Sequence, residues 1–260
     1  MEWREEAIIL GVRRHGETSV VAELMTRTRG RHLGLVRGGR SRRQQPVLQP
    51  GNRVEANWRA RLDEHLGTLT VEPVEMRAAA FMESALALQG VQLLAAHIRL
   101  LAERDPHERL YEACLTMLPN LQDCRLAGGM MLGFEMALLD ELGLGLDLSA
   151  CALTGAVEGL AYVSPRTGRA VTQAAGAPWA DRLLPLPQCL VTDEAPNWAE
   201  LVDGFALTGH FLGRNIWVPR GQDEPQSRGA FIAALERALR AVAELSLIHI
   251  SEPTRQAEIS

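Results

Sequence analysis

The chain has 260 residues, of which 47% are hydrophobic and 23% charged, proportions that are ordinary for a globular protein. No run reaches the roughly 18 apolar residues that a membrane span needs, and the first six residues lack the basic flank and apolar core of a secretory signal. We therefore expect a cytoplasmic protein that does not engage the membrane. No CxxC pair is present, which predicts free thiols in a reducing compartment. The cysteines are Cys114, Cys124, Cys151 and Cys189.

Charge is distributed unevenly along the chain. Residues 1–61 contain 13 Arg and 6 acidic residues, a net charge of +7, whereas residues 62–260 contain 14 Arg and 26 acidic residues, a net charge of −12. A basic front joined to an acidic remainder predicts a polyanion-binding module on a body with a different role. Chance clustering on a solvated surface is the alternative that charge alone leaves open.

The first 75 residues have the pattern of a small β-domain. Short apolar runs predict strands at 7–12, 18–26, 31–37 and 66–71, separated by turns that contain Gly. The clearest alternation runs from Arg53 to Leu62 and predicts a strand with one buried and one wet face. Its apolar face would carry Val54, Ala56, Trp58, Ala60 and Leu62. Five such strands predict an OB-type β-barrel over residues 1–75.

After Pro73 the pattern changes to helix. Ala- and Leu-rich spacing predicts helices at 78–102, 107–118, 126–142, 198–212 and 228–245. Apolar residues on both sides of the turn at 165–168 predict a hairpin insert at about 150–176. The predicted fold class is therefore α+β, an N-terminal barrel followed by a mainly α-helical domain (76–245) with a small ribbon-like insert. Residues 246–260 depart abruptly from the preceding composition and are predicted to be a non-native or disordered tail.

Arginines at turns and strand ends carry the strongest functional signal. Several cations within reach of one backbone can neutralise successive phosphates and release their counterions, and Gly38 and Gly39 allow close approach. We therefore predict a nucleic-acid-binding site on the barrel, with a solvated loop as the alternative. Its predicted residues are Arg13, Arg14, Arg27, Arg29, Arg31, Arg37, Arg40, Arg42, Arg43, Arg59 and Arg61.

Aromatic side chains for base stacking are scarce in this region. The first 75 residues offer Trp3, Trp58 and His15, and the alternation around Trp58 predicts that its side chain belongs to the core. Single-strand binders without sequence preference combine basic grooves with aromatic platforms. Binding by this chain is therefore expected to be mainly electrostatic.

No catalytic or metal-binding motif emerges from the sequence. The segment 151–155 offers one cysteine where a zinc site usually has two close pairs, so Cys151 is predicted to be a small buried residue. The pair Gly143 and Gly145 lacks the third glycine of a dinucleotide fingerprint. Glu135, Asp140 and Glu141 lie on one predicted helix and are expected to be surface charges. We expect no catalytic residue, no metal and no cofactor, hence a protein that is not an enzyme.

The order and spacing of short motifs resemble the RecO family of bacterial recombination mediators over about residues 5–240. The matching motifs include Ala7-Ile8-Ile9-Leu10, Gly38-Gly39-Arg40-Ser41-Arg42, Leu48-Gln49-Pro50-Gly51, Leu142-Gly143 and Gly168-Arg169-Ala170-Val171. The resemblance implies an OB-fold followed by a helical domain with a ribbon-like insert.

The resemblance also implies a role in DNA repair and recombination. Proteins of this family bind single- and double-stranded DNA and anneal complementary strands. With the partner RecR they help to load the RecA recombinase onto gaps coated by single-strand-binding protein (SSB). They also bind the acidic C-terminal tail of SSB. Such a role implies a cytoplasmic, nucleoid-associated location. Some relatives hold zinc with four ribbon cysteines, but this chain keeps only Cys151, so zinc is not carried over. Arg125 is the nearest candidate cation for the SSB tail and is not assigned.

Two other functions stay open at this point. An OB-fold can bind RNA rather than DNA, and the 2′-OH would distinguish the two ligands. Scattered carboxylates could instead hold Mg²⁺ for a nuclease.

Overall fold

Five strands at the N-terminus form an OB-type barrel, as the sequence predicts. This computed structural model describes residues 1–62, 64–192 and 194–250, the last six by their backbone alone. The strands lie in the order β1-β2-β3-β5-β4, and β4 pairs with β1 to close the ring. Closure removes exposed strand edges, which would otherwise pair with other chains. The strands are β1 (Glu2–His15), β2 (Ser19–Thr26), β3 (Gly30–Val36), β4 (Arg53–Arg59) and β5 (Thr68–Glu75).

Strand β1 is longer than its apolar run predicts. Its first half pairs with β4 and its second half with β2, and a bulge between Ile9 and Gly11 interrupts the register with β2. Outward residues of the first half form cross-strand ion pairs, such as Arg4 Nε to Glu55 Oε1 at 2.5 Å. Because these residues are charged, an apolar pattern does not reveal them, and the predicted strand at 7–12 was too short.

The indole of Trp58 lies in the barrel core. Its side chain is fully buried, as the alternation predicts, and its Nε1 donates a hydrogen bond to the carbonyl of Leu66 at 2.9 Å. The predicted continuation of β4 to Leu62 is wrong, because the strand ends at Arg59 and Leu62 is 48% exposed. Strand β5 in turn continues through Pro73, beyond its predicted end.

The rest of the described chain is mainly helical. The single helix predicted over 78–102 is wrong, because the Ser84 side chain accepts a hydrogen bond from the Ala87 N–H and caps a new helix there. The described helices are α1 (Ala78–Met82), α2 (Ala85–Ile98), α3 (Glu108–Met117), α4 (Cys124–Glu141), α5 (Gln173–Gly176), α6 (Trp198–Leu212) and α7 (Gln226–Ile250), with a π-helical segment at Gly213–Trp217.

Two other predictions concern membrane-spanning helices and a disordered or non-native C-terminal tail. Among the described residues, no helix is long and apolar enough to cross a membrane. Of the predicted tail at 246–260, the backbone of 246–250 continues α7, and 251–260 lies outside the described residues.

The ribbon-like insert is a small sheet beside the helices. Strands β6 (Leu160–Val163) and β7 (Ala170–Thr172) form the expected hairpin, and β8 (Leu184–Pro185) adds a third strand on the other side of β6. This two-residue strand carries too little pattern to be predicted. Cys151 is buried against the hairpin, as expected, and its Sγ accepts a hydrogen bond from the Thr172 N–H at 3.3 Å.

The barrel is docked firmly on the helical body. Ile8, Leu10 and Met25 point away from the barrel interior and belong to the core of the helices. After α2, the Arg104 N–H donates to the carbonyl of Arg31 at 2.8 Å. These contacts fix the part of the barrel where β3 begins. The turn between β1 and β2 lies at the other end of these strands and is exposed to solvent.

A buried ionic network joins four helices of the body. The carboxylate of Glu135 on α4 accepts hydrogen bonds from His97 Nε2 at 2.9 Å, Arg228 Nε at 2.8 Å and the Thr208 hydroxyl at 2.5 Å. Burial raises the pKa of Glu135, but the hydrogen bonds of His97 and the charge of Arg228 outweigh burial and lower that pKa to about 2. The expectation that Glu135 is a surface charge was therefore wrong, since helical spacing does not reveal a buried carboxylate whose partners lie on other helices.

Removing this carboxylate should destabilise the fold strongly. Glu135→Ala removes the buried carboxylate that pairs with the Arg228 guanidinium and leaves the half-exposed Glu224 as its charged partner, so we expect the free energy of unfolding in urea to fall by about 3–5 kcal/mol. The control is Asp140→Ala on the same helix, which removes an exposed ion pair with Arg109 and should cost less than about 1 kcal/mol. Equal losses in the two variants would contradict the role given to the network.

Candidate nucleic-acid interface

Six of the predicted arginines lie at the solvent-facing end of the barrel. Arg13 and Arg14 occupy the end of β1, in register with Val21 and Val20 of β2. Val20 is also in register with Val36, where β3 ends and the connection to β4 begins. We call this group the basic rim, which consists of Arg13, Arg14, Arg37, Arg40, Arg42 and Arg43.

Hydrogen bonds hold the two loops of the basic rim together. The Arg40 N–H donates to the carbonyl of Thr18 at 3.0 Å, and Arg40 Nη1 donates to the carbonyl of Glu17 at 2.5 Å. Both acceptors belong to the turn between β1 and β2. The rim arginines of the β3–β4 connection therefore lie against those at the end of β1, although about 25 residues separate them in sequence.

The loop that carries four rim arginines is folded rather than extended. Gly38 has a φ of 66°, and a Cβ on Gly39 would lie 2.5 Å from the Val20 side chain, so both positions require glycine. From Ser41 onward the backbone makes helical hydrogen bonds, such as Leu48 N–H to the Gln44 carbonyl at 3.0 Å. Leu48 is buried in the barrel core and anchors the loop.

All six rim side chains are exposed, and within the described residues none forms an ion pair with a carboxylate. Carboxylates of the described chain therefore do not neutralise their charge. An arginine whose guanidinium has donors to spare offers a planar set of N–H groups that matches phosphate oxygens.

The other predicted arginines have different surroundings. Arg31 Nη1 contacts Glu23 Oε1 at 2.8 Å, Arg59 Nε lies 3.6 Å from Glu2 Oε2, and Arg27 pairs with two carboxylates of α3. The face formed by the first half of β1 with β4 is covered with such pairs. Arg29 and Arg61 are exposed but belong to other turns. The structure thus brings six of the eleven predicted residues together.

A concavity of about 350 Å³ adjoins the basic rim on the outer face of β1, β2 and β3. Its lining includes Arg13 of the rim, the apolar side chains of Val12 and Leu33, and Arg99 from the end of α2. Arg99 was not predicted, because it follows a helix 85 residues beyond Arg14 and reaches the barrel only through docking. Its Nε donates to Glu23 at 2.7 Å.

Aromatic rings contribute little to this surface. Trp3 and Trp58 stack with centroids 5.9 Å apart, and His32 packs edge-on against both inside the barrel. His15 is exposed at the end of β1, beside the rim. The arrangement suits contacts to phosphates more than stacking of bases.

The last feature considered for this surface is a group of side chains that could bind a metal ion. Among the described residues, no three His, Cys, Asp or Glu side chains are grouped so that they could hold a metal ion.

Comparisons with known proteins agree with this architecture. Residues 1–77 match the family model "Recombination protein O N terminal", and residues 83–222 match "Recombination protein O C terminal". A protein named DNA repair protein RecO from Chelativorans sp. (strain BNC1) is 58% identical over 241 residues, which cover 92% of this chain and 97% of the relative.

Proteins of the same name occur in other bacteria at similar identity. The one from Mesorhizobium japonicum is 57% identical and covers 91% of this chain and 94% of its own length, and the one from Brucella abortus (strain 2308) is 54% identical and covers 92% and 98%. Since both parts of the chain match the family models and these relatives align over nearly their whole length, the chain belongs to the RecO family of DNA repair proteins.

Proposed function

We propose that this protein is a non-enzymatic recombination mediator that binds single- and double-stranded DNA at the basic rim and anneals complementary strands. One observation carries the proposal: six exposed arginines that have no carboxylate partner among the described residues meet at one end of the barrel, in a chain whose net charge is −5. This local excess of positive charge suits a polyanion and contrasts with the neutralised face nearby.

Annealing follows from the electrostatics of the rim. Two complementary strands repel each other through their phosphates, and cations that neutralise both backbones lower this repulsion. Because the rim contacts phosphates and offers few aromatic platforms, bases stay free to pair with the other strand. No covalent bond is made or broken when strands anneal, so the proposal requires neither a catalytic residue nor a metal.

The acidic helical body is proposed to serve protein partners. These are RecR, the acidic C-terminal tail of SSB and, indirectly, RecA, which the protein would help to load onto SSB-coated gaps. Arg125 in the first turn of α4 is exposed and lies beside Leu126, which is 46% exposed. A cation next to an apolar side chain suits an acidic peptide that also carries apolar residues, so Arg125 is our candidate contact for the tail.

Removing two rim charges should weaken DNA binding without regard to sequence. We expect Arg40→Ala with Arg42→Ala to reduce affinity for unrelated oligonucleotides equally, because both residues contact phosphates. The slope of log K against log salt should become shallower by about 1.4 on single strands, at about 0.7 per lost contact. Fluorescence anisotropy at several salt concentrations measures both quantities.

The matched control for this variant is Arg4→Ala with Arg109→Ala. It removes the same charge, but these exposed arginines pair with Glu55 and Asp140, so affinity and slope should stay close to those of the wild type. An unchanged slope in the rim variant, or an equal loss in the control, would remove the rim from the binding site.

Annealing should be independent of metal and sensitive to salt. Complementary oligonucleotides precoated with SSB are mixed with the protein in EDTA at two salt concentrations, and duplex formation is followed by fluorescence transfer. We expect acceleration that fades at the higher salt and is lost with the rim variant. No acceleration by folded protein would contradict the proposal.

Two further arms separate the alternative functions. Affinity for single-stranded RNA is compared with that for DNA of the same sequence at one salt concentration, and a clear preference for RNA would favour an RNA-binding module. Loss of labelled DNA that depends on Mg²⁺ would indicate a nuclease.

A further inference from the structure

A second group of exposed arginines lies on the helical body, away from the barrel. Arg166 is in the turn between β6 and β7, Arg214 is in the π-helical segment after α6, and Arg220 follows that segment. We call these three residues the extension surface. They belong to the part of the sequence whose net charge is strongly negative, so a local group of cations there is not explained by composition.

Contacts hold Arg166 and Arg214 close together. Arg214 Nη1 donates to the carbonyl of Pro165 at 2.5 Å and to that of Arg166 at 3.3 Å. His210 Nε2 lies 3.0 Å from the same Pro165 carbonyl. Residues of α6 and of the π-helical segment thus hold the turn through its carbonyl groups, and the Arg166 side chain is exposed.

Carboxylates of the described residues do not neutralise these cations. Within the described residues, none of the three forms an ion pair with a carboxylate, whereas the neighbouring Arg169 pairs with Asp147 at 3.2 Å. The bonds of Arg214 and Arg220 go to backbone carbonyls and leave other guanidinium donors available. An exposed cation with free donors and no counter-charge suits a phosphate.

The extension surface is connected to the barrel through the end of α2. Arg220 Nη1 donates to the carbonyl of Leu100 at 3.2 Å. The preceding residue, Arg99, lines the concavity beside the rim together with Arg13. Arg220 follows Arg214 by six residues, in the turn that leaves the π-helical segment. The end of α2 therefore lies between the basic rim and the extension surface, and Arg99 at this junction is paired with Glu23.

We propose that single-stranded DNA bound at the basic rim continues across this junction, and that the extension surface contacts its downstream phosphates. The inference rests on the proposed function for the first contact and adds a second part to the same path. A short oligonucleotide fills the rim alone, while a longer one reaches both. The π-helical segment contributes to this surface because it positions Arg214 against the turn between β6 and β7.

The test compares two lengths of DNA. Arg166→Ala with Arg214→Ala is measured by anisotropy against single strands of about 8 and about 30 nucleotides, the shorter within the range that one OB-fold covers. We expect affinity for the short strand to be unchanged and affinity for the long strand to fall several-fold, with a salt slope shallower by about 1.4. Unchanged binding of both lengths, or an equal loss on both, would overturn the proposal.

Two more variants make the outcome specific. Arg166→Glu alters an exposed side chain that forms no hydrogen bond or ion pair with the described residues, so its length-dependent loss would not arise from a disturbed turn. Arg237→Ala on α7 removes an exposed arginine without an ion pair in the described chain and should leave both lengths unaffected. Failure of the proposed function is distinguishable, because it would appear as unchanged binding of both lengths by the rim variant.

Discussion

The pairing of arginine with carboxylate determines which parts of this surface carry charge for a ligand. Cross-strand pairs such as Arg4 with Glu55 and Arg53 with Glu6 cover one face of the barrel. Each exposed pair contributes little to stability, about 0–1 kcal/mol, but each also cancels a charge that could attract a phosphate. The chain has no Lys, and within the described residues the six rim arginines lie together without carboxylate partners, whereas most of the other barrel arginines are paired.

Docking of the barrel on the helices gives this charge pattern a fixed orientation. Ile8, Leu10 and Met25 belong to the core of the helical body, so the barrel cannot turn without exposing apolar surface. At Gly30 a Cβ would lie 1.8 Å from the carbonyl oxygen of Asp105, and the two backbones therefore meet closely at the anchored end. The rim lies at the other end, and Arg99 reaches its side from α2. One rigid unit thus presents arginines from both parts of the chain.

Most of the architecture could be predicted from the sequence, and the exceptions have physical reasons. The barrel and the Trp58 core followed from alternation with a period of two, since each strand has one buried face. The first half of β1 escaped prediction because its stability comes from partners in β4. The break before α2 escaped because Ser84 acts through a single capping bond. Glu135 was misjudged because its partners lie on three other helices.

The candidate site shows the same limit of sequence reasoning. Turn chemistry located the loop around Gly38 and Gly39 and the arginines in it. Composition could not separate arginines that pair with carboxylates from those that do not, because the partners of Arg27 and Arg31 are set by tertiary structure. Arg99 joined the barrel surface only through docking, and Arg166 of the extension surface lies 48 residues before Arg214 in sequence. Those residues become visible only when the fold is known.

The central claim is that arginines without carboxylate partners at the end of the barrel hold the DNA backbone. Chemical modification of arginine, read residue by residue by mass spectrometry with and without single-stranded DNA, tests it most directly. The account predicts that DNA protects the six rim arginines from modification and leaves Arg237 as reactive as before. Unprotected rim arginines under saturating DNA would contradict it and would place the binding surface elsewhere.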